Sequence, residues 1–390
     1  MLIKDSVDEV KKRENSLRII NFILKKYGRE NFYDLTGLAG GFKLSEEDMD
    51  ILETYAGPAI FENKLQNAGK LHLGGEKILA FNRTTAGILA TILALVKEGD
   101  EVIHYVPELP SHPSIPRSCE LIGASYAEYD DIDDFKVHDN TALVIITGST
   151  MDHQIIEEEE FSRIIEISKL RDIPVFVDDA SGARLRTVIY NQPRAMDMGV
   201  DIAITSTDKL MDGPRAGLMS GKVEIIDLIK SKSQQFGLEA QASTVVGIIR
   251  AIENFSSERM LGAFEKKNAI YKALKKNFKN IRETPTGIML TADDLAHELE
   301  KEGVKIKFTC EDAACVFAVL LLRNYHILTI PAVGMPGASA TVRIDFASKD
   351  AERVDEEYIL KAMIESFSHL KEIVNYKLAC TTLLFENGLD

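Results

Sequence analysis

Between residues 76 and 236, short apolar runs alternate with amphipathic stretches, and this rhythm restricts the chain to few folds. The runs at 78–81, 101–105, 143–147, 175–177, 202–205 and 218–220 have the length of strands. The stretches 85–97, 157–171 and 223–236 carry apolar residues at helical spacing. Strands that are apolar throughout, with helices between them, are covered on both faces. The pattern therefore predicts an α/β domain with a mainly parallel sheet.

Outside that segment the pattern loosens. Val7, Val10, Leu17, Ile20, Ile23 and Leu24 predict an N-terminal helix over 6–27. Residues 32–35 read as a short strand, 36–41 as a loop, and Ser45-Glu-Glu-Asp as a helix start. Beyond about residue 240, helices are predicted at 243–254 and 258–277, strands at 288–291, 327–331 and 341–346, and helices over 351–376. Three parts follow. Residues 1–55 form a helical segment that packs with a small domain, 56–240 the large α/β domain, and 241–390 an interdomain helix with the small α+β domain.

A chain of 390 residues, 45% of them hydrophobic, has enough apolar material for about two domains, and global disorder is excluded. The net charge of −15 disfavours a polyanion such as tRNA as partner. Cysteines 119, 310, 315 and 380 form no C-x-x-C pair, so no metal site is expected. The start, MLIKDSVDEVKKREN, lacks the apolar core of a secretory signal, and no run reaches the roughly 18 apolar residues of a membrane span. The chain reads as cytoplasmic.

Familiar motifs are missing. The glycine-rich 69–75 lacks the Gly-Lys-Ser/Thr ending of a phosphate loop. No G-x-G-x-x-G follows a strand, and neither H-E-x-x-H nor G-x-S-x-G occurs. The acidic run 129–135 lacks the glycine of an EF-hand loop and reads as a solvated loop.

Four segments at strand ends remain. Thr84 and Thr85 follow a strand and open a helix, where hydroxyls, free N–H groups and the helix dipole suit a phosphate. Asp178 and Asp179 end the strand of Pro174-Val-Phe-Val, at the sheet edge that faces the ligand crevice in such folds. Lys209 follows the strand end Ile204-Thr-Ser-Thr-Asp and precedes Gly213-Pro214 and Ala216-Gly217, and a lysine there can condense with an aldehyde. Arg343, inside the strand Thr341–Phe346, needs an anion for its guanidinium, and a carboxylate fits. Helix capping, loop solvation and surface charge are the plainer readings of each segment alone.

In this order the four segments resemble those of the fold type I pyridoxal 5′-phosphate (PLP) enzymes, the aspartate aminotransferase-like group, over roughly residues 55–350. The stretch 205–218, with its Asp-Lys-Leu-x-x-Gly-Pro-x-Ala-Gly core, is similar to that of bacterial selenocysteine synthase, the seryl-tRNA selenium transferase. The whole chain resembles an archaeal set of selenocysteine-synthase-like PLP proteins. The resemblance implies the aspartate aminotransferase-like fold, a mainly parallel large-domain sheet beside a smaller α+β domain. It implies Lys209 as the lysine bonded to the cofactor aldehyde and Asp178 as the partner of the pyridinium nitrogen. Thr84, Thr85 and Ser206 become phosphate ligands, His112 a ring-stacking side chain and Ser149 a contact to the 3′-oxygen. Arg343 and Arg215 become the substrate-binding pair. Two features depart from the transferase: Arg215 stands where it usually has glutamine, and only about 55 residues occupy the place of its tRNA-binding module.

The activity implied is PLP-dependent elimination or replacement at the β-carbon of a small-molecule amino acid, in amino-acid or sulfur/selenium metabolism, with Lys209 as general base. A tRNA-dependent transferase is one alternative, with Lys11, Lys12, Arg13, Lys25, Lys26 and Arg29 as part of a basic groove. A non-catalytic PLP-binding protein is another, and a cysteine desulfurase using Cys310 is a variant of the first reading. A homodimer is the implied minimum assembly.

Overall fold

The computed structural model describes residues 1–386. The chain divides into two units, Leu38–Ser257 and a second that joins Met1–Gly37 to the chain from Glu258 on. Each has its own sheet.

The first unit carries seven strands: β1 (Lys77–Phe81), β2 (Glu101–Tyr105), β3 (Ser125–Tyr129), β4 (Thr141–Thr147), β5 (Val175–Asp178), β6 (Ile202–Ser206) and β7 (Gly217–Gly221). Their order across the sheet is β1-β7-β6-β5-β4-β2-β3, and β7 alone runs antiparallel to its neighbours. The exception has a simple cause. Only residues 207–216 join β6 to β7, too few for the crossover that a parallel neighbour needs, so the chain turns back beside itself.

Helices cover both faces. Ile88 and Ile92 of α2 (Thr84–Leu95), Ile115 of α3 (Ser114–Ile122) and Ile226 of α5 (Val223–Phe236) pack on Phe81, Ile145, Phe176 and Ile204. On the opposite face, α4 (Glu158–Lys169) sets Phe161 and Ile164 against Val144, Ile146 and Val177. There too α1 (Ala56–Leu73) and α6 (Ala242–Glu253) set Phe61, Leu65 and Val246 against Ile78 and Leu218. Residues 38–55 are tied into this unit. Leu38 bridges to Lys209, and the Asp48 carboxylate accepts from Arg250 Nε at 3.0 Å.

The second unit holds an antiparallel sheet of β8 (Arg282–Thr284), β9 (Gly287–Leu290) and β10 (Val342–Asp345), with β9 central. Its core helix is α7 (Cys310–Tyr325), in which every residue from Ala313 to Leu322 is buried. Tyr33–Asp34 pairs in parallel with Ile327–Leu328. The strand expected over 327–331 stops there, because Pro331 lies in the first turn of a short helix, Ile330–Val333. Among the described residues, no helix is long and apolar enough to cross a membrane.

Candidate functional site

Sheet register collects the strand ends of the first unit. Phe81, Gly217 and Ser206 stand side by side across β1, β7 and β6. Asp178 pairs with Ile204 on one side and Thr147 on the other. Thr84, Ser149, Asp178 and Lys209 therefore leave the sheet from one edge, the carboxyl ends of its parallel strands.

At the β1 end, α2 begins without a side-chain cap, since Arg83 makes no capping hydrogen bond. Thr84 Oγ1 is buried and has no hydrogen-bond partner, while Thr85 is exposed. The helix start sits tightly on β7. A methyl group on Gly217 would lie 3.0 Å from the backbone of Thr84 and Arg83. At Gly87 it would lie 2.2 Å from Ile204 Cδ1.

The two aspartates at the β5 end differ. Asp179 is closed by Arg186, whereas Asp178 is 8% exposed and its Oδ1 has no partner. Burial pushes the Asp178 carboxyl up to about 6, against the pull of the nearby Lys209 ammonium. The same ammonium lies close to His112, whose ring is held down at about 4, first by burial and then by Lys209, Arg117 and Arg83. His112 Nδ1 lies 2.7 Å from Ser114 Oγ, at the start of α3. Ser149 Oγ lies 3.1 Å from Ser181 Oγ. Lys209, Asp178 and His112 thus share one neighbourhood.

Ser206 donates to Asp208, which also accepts from Arg215 Nε at 3.1 Å. Burial lowers the Arg83 pKa, and the nearby Arg215 charge lowers it further. Two guanidinium groups therefore lie near each other by the helix start, and the Asp208 carboxylate, paired with Arg215, also acts on Arg83. Arg343 belongs to the second unit, on β10. There its side chain is 4% exposed, with Nε 3.9 Å from Asp345 Oδ2.

Sequence reasoning missed Arg83, Arg184, Arg186 and Asp208. Arg184 is 1% exposed and donates to the main-chain oxygens of Lys209, Ser206 and Ala180. The available signal was Arg184-Leu185-Arg186 soon after a strand end marked by Asp178 and Asp179, because buried cations need acceptors in reach. Among the described residues, no group of three His, Cys, Asp or Glu side chains is placed to hold a metal ion.

A family model for L-seryl-tRNA selenium transferase matches residues 123–305, and one for the UPF0425 C-terminal domain matches 277–355. A UPF0425 pyridoxal phosphate-dependent protein of Methanosphaera stadtmanae is 50% identical over 94% of this chain and 96% of its own length. An L-seryl-tRNA(Sec) selenium transferase of Carboxydothermus hydrogenoformans is 27% identical over 45% of this chain and 41% of its own. Among solved structures, the aspartate aminotransferase of Thermotoga maritima superposes with a TM-score of 0.57 at 17% identity, covering 91% of this chain and 96% of that one. The fold is the aspartate aminotransferase-like, type I fold.

Proposed function

We propose, for a chain that belongs to the UPF0425 pyridoxal phosphate-dependent proteins, that residues 38–257 hold PLP and that the protein acts on an amino acid by β-elimination or β-replacement. Two buried atoms without partners carry the reading, Thr84 Oγ1 and Asp178 Oδ1. Leaving such atoms unsatisfied is costly, and a ligand that meets both removes the cost. PLP presents a phosphate to the first and a protonated ring nitrogen to the second.

In this reading Thr84, Thr85 and Ser206 hold the phosphate, with Arg83 beside them. His112 faces the ring, and Ser149 meets the 3′-oxygen. When bound, the cofactor supplies an aldehyde that an amine can attack and a ring that withdraws electrons from the α-carbon. Asp178 keeps the ring nitrogen protonated. Lys209 takes and returns the proton at Cα. His112, neutral because of its low pKa, adds no positive charge at the ring. For the substrate carboxylate the candidates are Arg215, 40% exposed, and Arg343, 4% exposed beside Asp345; the first is more open to an incoming anion. Cys310 does not support a desulfurase, since burial and the nearby Asp293 push its thiol up and keep it protonated.

The test is to load the purified protein with PLP, reduce it with borohydride and map the modified peptide. Phosphopyridoxyl on Lys209 supports the reading, and an unmodified Lys209 in folded protein with excess PLP rejects it. Amino acids are then screened for exchange of the α-proton in deuterated water. Labelling without exchange across the screen would favour a non-catalytic PLP-binding protein. The match to the selenium transferase model favours a second reading, an amino acid carried on tRNA, and salt-dependent tRNA binding would distinguish it. A homodimer is part of the proposal, checked by light scattering.

A further inference from the structure

Arg184 stands apart from the other buried cations at this sheet edge because its bonds go to main-chain oxygens. Nε donates to the carbonyl of Lys209 at 2.9 Å, and Nη2 to those of Ser206 at 2.6 Å and Ala180 at 2.7 Å. Burial lowers its pKa only to about 10, so it remains a cation at neutral pH, and its hydrogen bonds are charge-assisted. Its fork joins the end of β6, the turn after β5 and the residue that carries the amine.

The turn it holds is strained. Leu210, directly after Lys209, has φ of +56°, a left-handed conformation that bulky L residues rarely adopt. Such a turn persists only where its surroundings over-determine it. The 38–39 segment grips it as well, because Leu38 bridges to Lys209 and the Ala39 N–H donates to the Asp208 carbonyl at 2.7 Å. The Lys209 side chain meanwhile lies close to Asp178 and His112.

We propose that Arg184 is a positioning residue for Lys209, fixing the strained 206–210 main chain so that the amine returns to one place beside Asp178. The inference rests on the PLP reading above for its purpose, though not for its geometry. A lysine that serves one ligand atom repeatedly needs a fixed base, since displacement by about 1 Å can cost 10²-fold in rate.

The experiment uses the full chain and the variants Arg184→Gln and Arg184→Lys. In the cofactor-free proteins, hydrogen–deuterium exchange is followed over 205–213 and, as reference, over β4. Exchange over 205–213 is expected to rise about tenfold in Arg184→Gln, the effect of losing one charged hydrogen bond, with β4 unchanged. After loading with PLP, Arg184→Gln is expected to show a shifted pH midpoint for the bound cofactor's absorbance and a smaller fraction of borohydride label on Lys209. Arg184→Lys keeps the charge without the fork and should fall between. It answers the same question if the glutamine variant does not fold. Wild-type exchange, midpoint and labelled fraction in a folded variant would overturn the inference while the PLP reading stands. A wild type that takes no label on Lys209 would overturn the reading, and the positioning role with it.

Discussion

Arg186 closes on Asp179 with two nitrogens, Nε 3.1 Å from one carboxylate oxygen and Nη2 2.5 Å from the other, at side-chain exposures of 0% and 3%. Two glycines make room for the pair. A methyl group on Gly148 or Gly182 would come within 2.0 Å of Asp179 Oδ1. Of two carboxylates adjacent in sequence, one is therefore closed in an ion pair, while the other keeps one oxygen without a partner. Removing one partner leaves the other charged, buried and alone. Arg186→Met is expected to destabilise by about 3–5 kcal/mol, and Asp179→Asn added to it should restore much of the loss. Urea unfolding of the two variants checks this, and additive losses would contradict the pairing.

Asp178 gives stability a pH dependence of known sign. Its carboxyl titrates at about 6 in the folded, cofactor-free protein against 3.8 unfolded, with burial as the main cause. A raised folded pKa means that the stabilising contribution is present below about pH 4 and is lost as pH rises through 6. The difference is worth about 3 kcal/mol. Asp178→Asn keeps the shape and removes the titration. It is expected to melt higher than wild type at pH 7, with the two melting curves converging toward pH 4. Thermal melts of both proteins without cofactor, at pH 4 to 7, make the comparison. A gap that does not change with pH would contradict the assignment.

The sheet was legible because apolar strand runs and helical spacing are local signals. β4, Thr-Ala-Leu-Val-Ile-Ile-Thr, is buried at every residue but Ala142, and its run from Leu143 could be read at sight. β3, Ser-Tyr-Ala-Glu-Tyr, lies at the sheet edge with no residue fully buried, and its sequence has no apolar run to find. α7 escaped for the opposite reason: it is apolar on every side, so it shows no helical period. Thr84, Asp178 and Lys209 could be picked out as candidates because each stands at or just after a strand end. Arg184 was not, because its acceptors are main-chain oxygens 22 and 25 residues away for Ser206 and Lys209, which no side-chain motif records.

Gly217 tests how tightly the proposed phosphate site is built. It lies in β7 between Phe81 and Ser206, and an added methyl group would meet the Thr84 N, the Thr84 Cα and the Arg83 oxygen, each at 3.0 Å. These are backbone atoms at the start of α2 and cannot rotate aside. Gly217→Ala is expected to cost about 1–3 kcal/mol as overpacking. It should also weaken PLP binding, because the displaced N–H groups are those proposed to meet the phosphate. Titration of cofactor absorbance measures the second effect and urea unfolding the first. Lost stability with unchanged affinity would place the phosphate elsewhere.

His104 makes the protein sensitive to acid. It is fully buried in β2, with Nδ1 2.9 Å from Tyr126 Oη and Nε2 2.8 Å from Thr147 Oγ1. Burial holds its pKa at about 3, against 6.5 in the unfolded chain. A depressed pKa means that the unfolded chain binds the extra proton, so the contribution is present above pH 6.5 and fades as pH falls. Between pH 6.5 and pH 5 it amounts to about 2 kcal/mol. His104→Gln cannot take that proton. It should be less stable than wild type at pH 8, having exchanged a fitted ring for a looser amide, and should lose less stability on acidification. His72 and His112, held at about 3 and 4 chiefly by burial, account for part of the slope that remains. Urea unfolding at pH 8, 6.5 and 5 gives both slopes. Equal slopes in the two proteins would mean that His104 does not carry this proton.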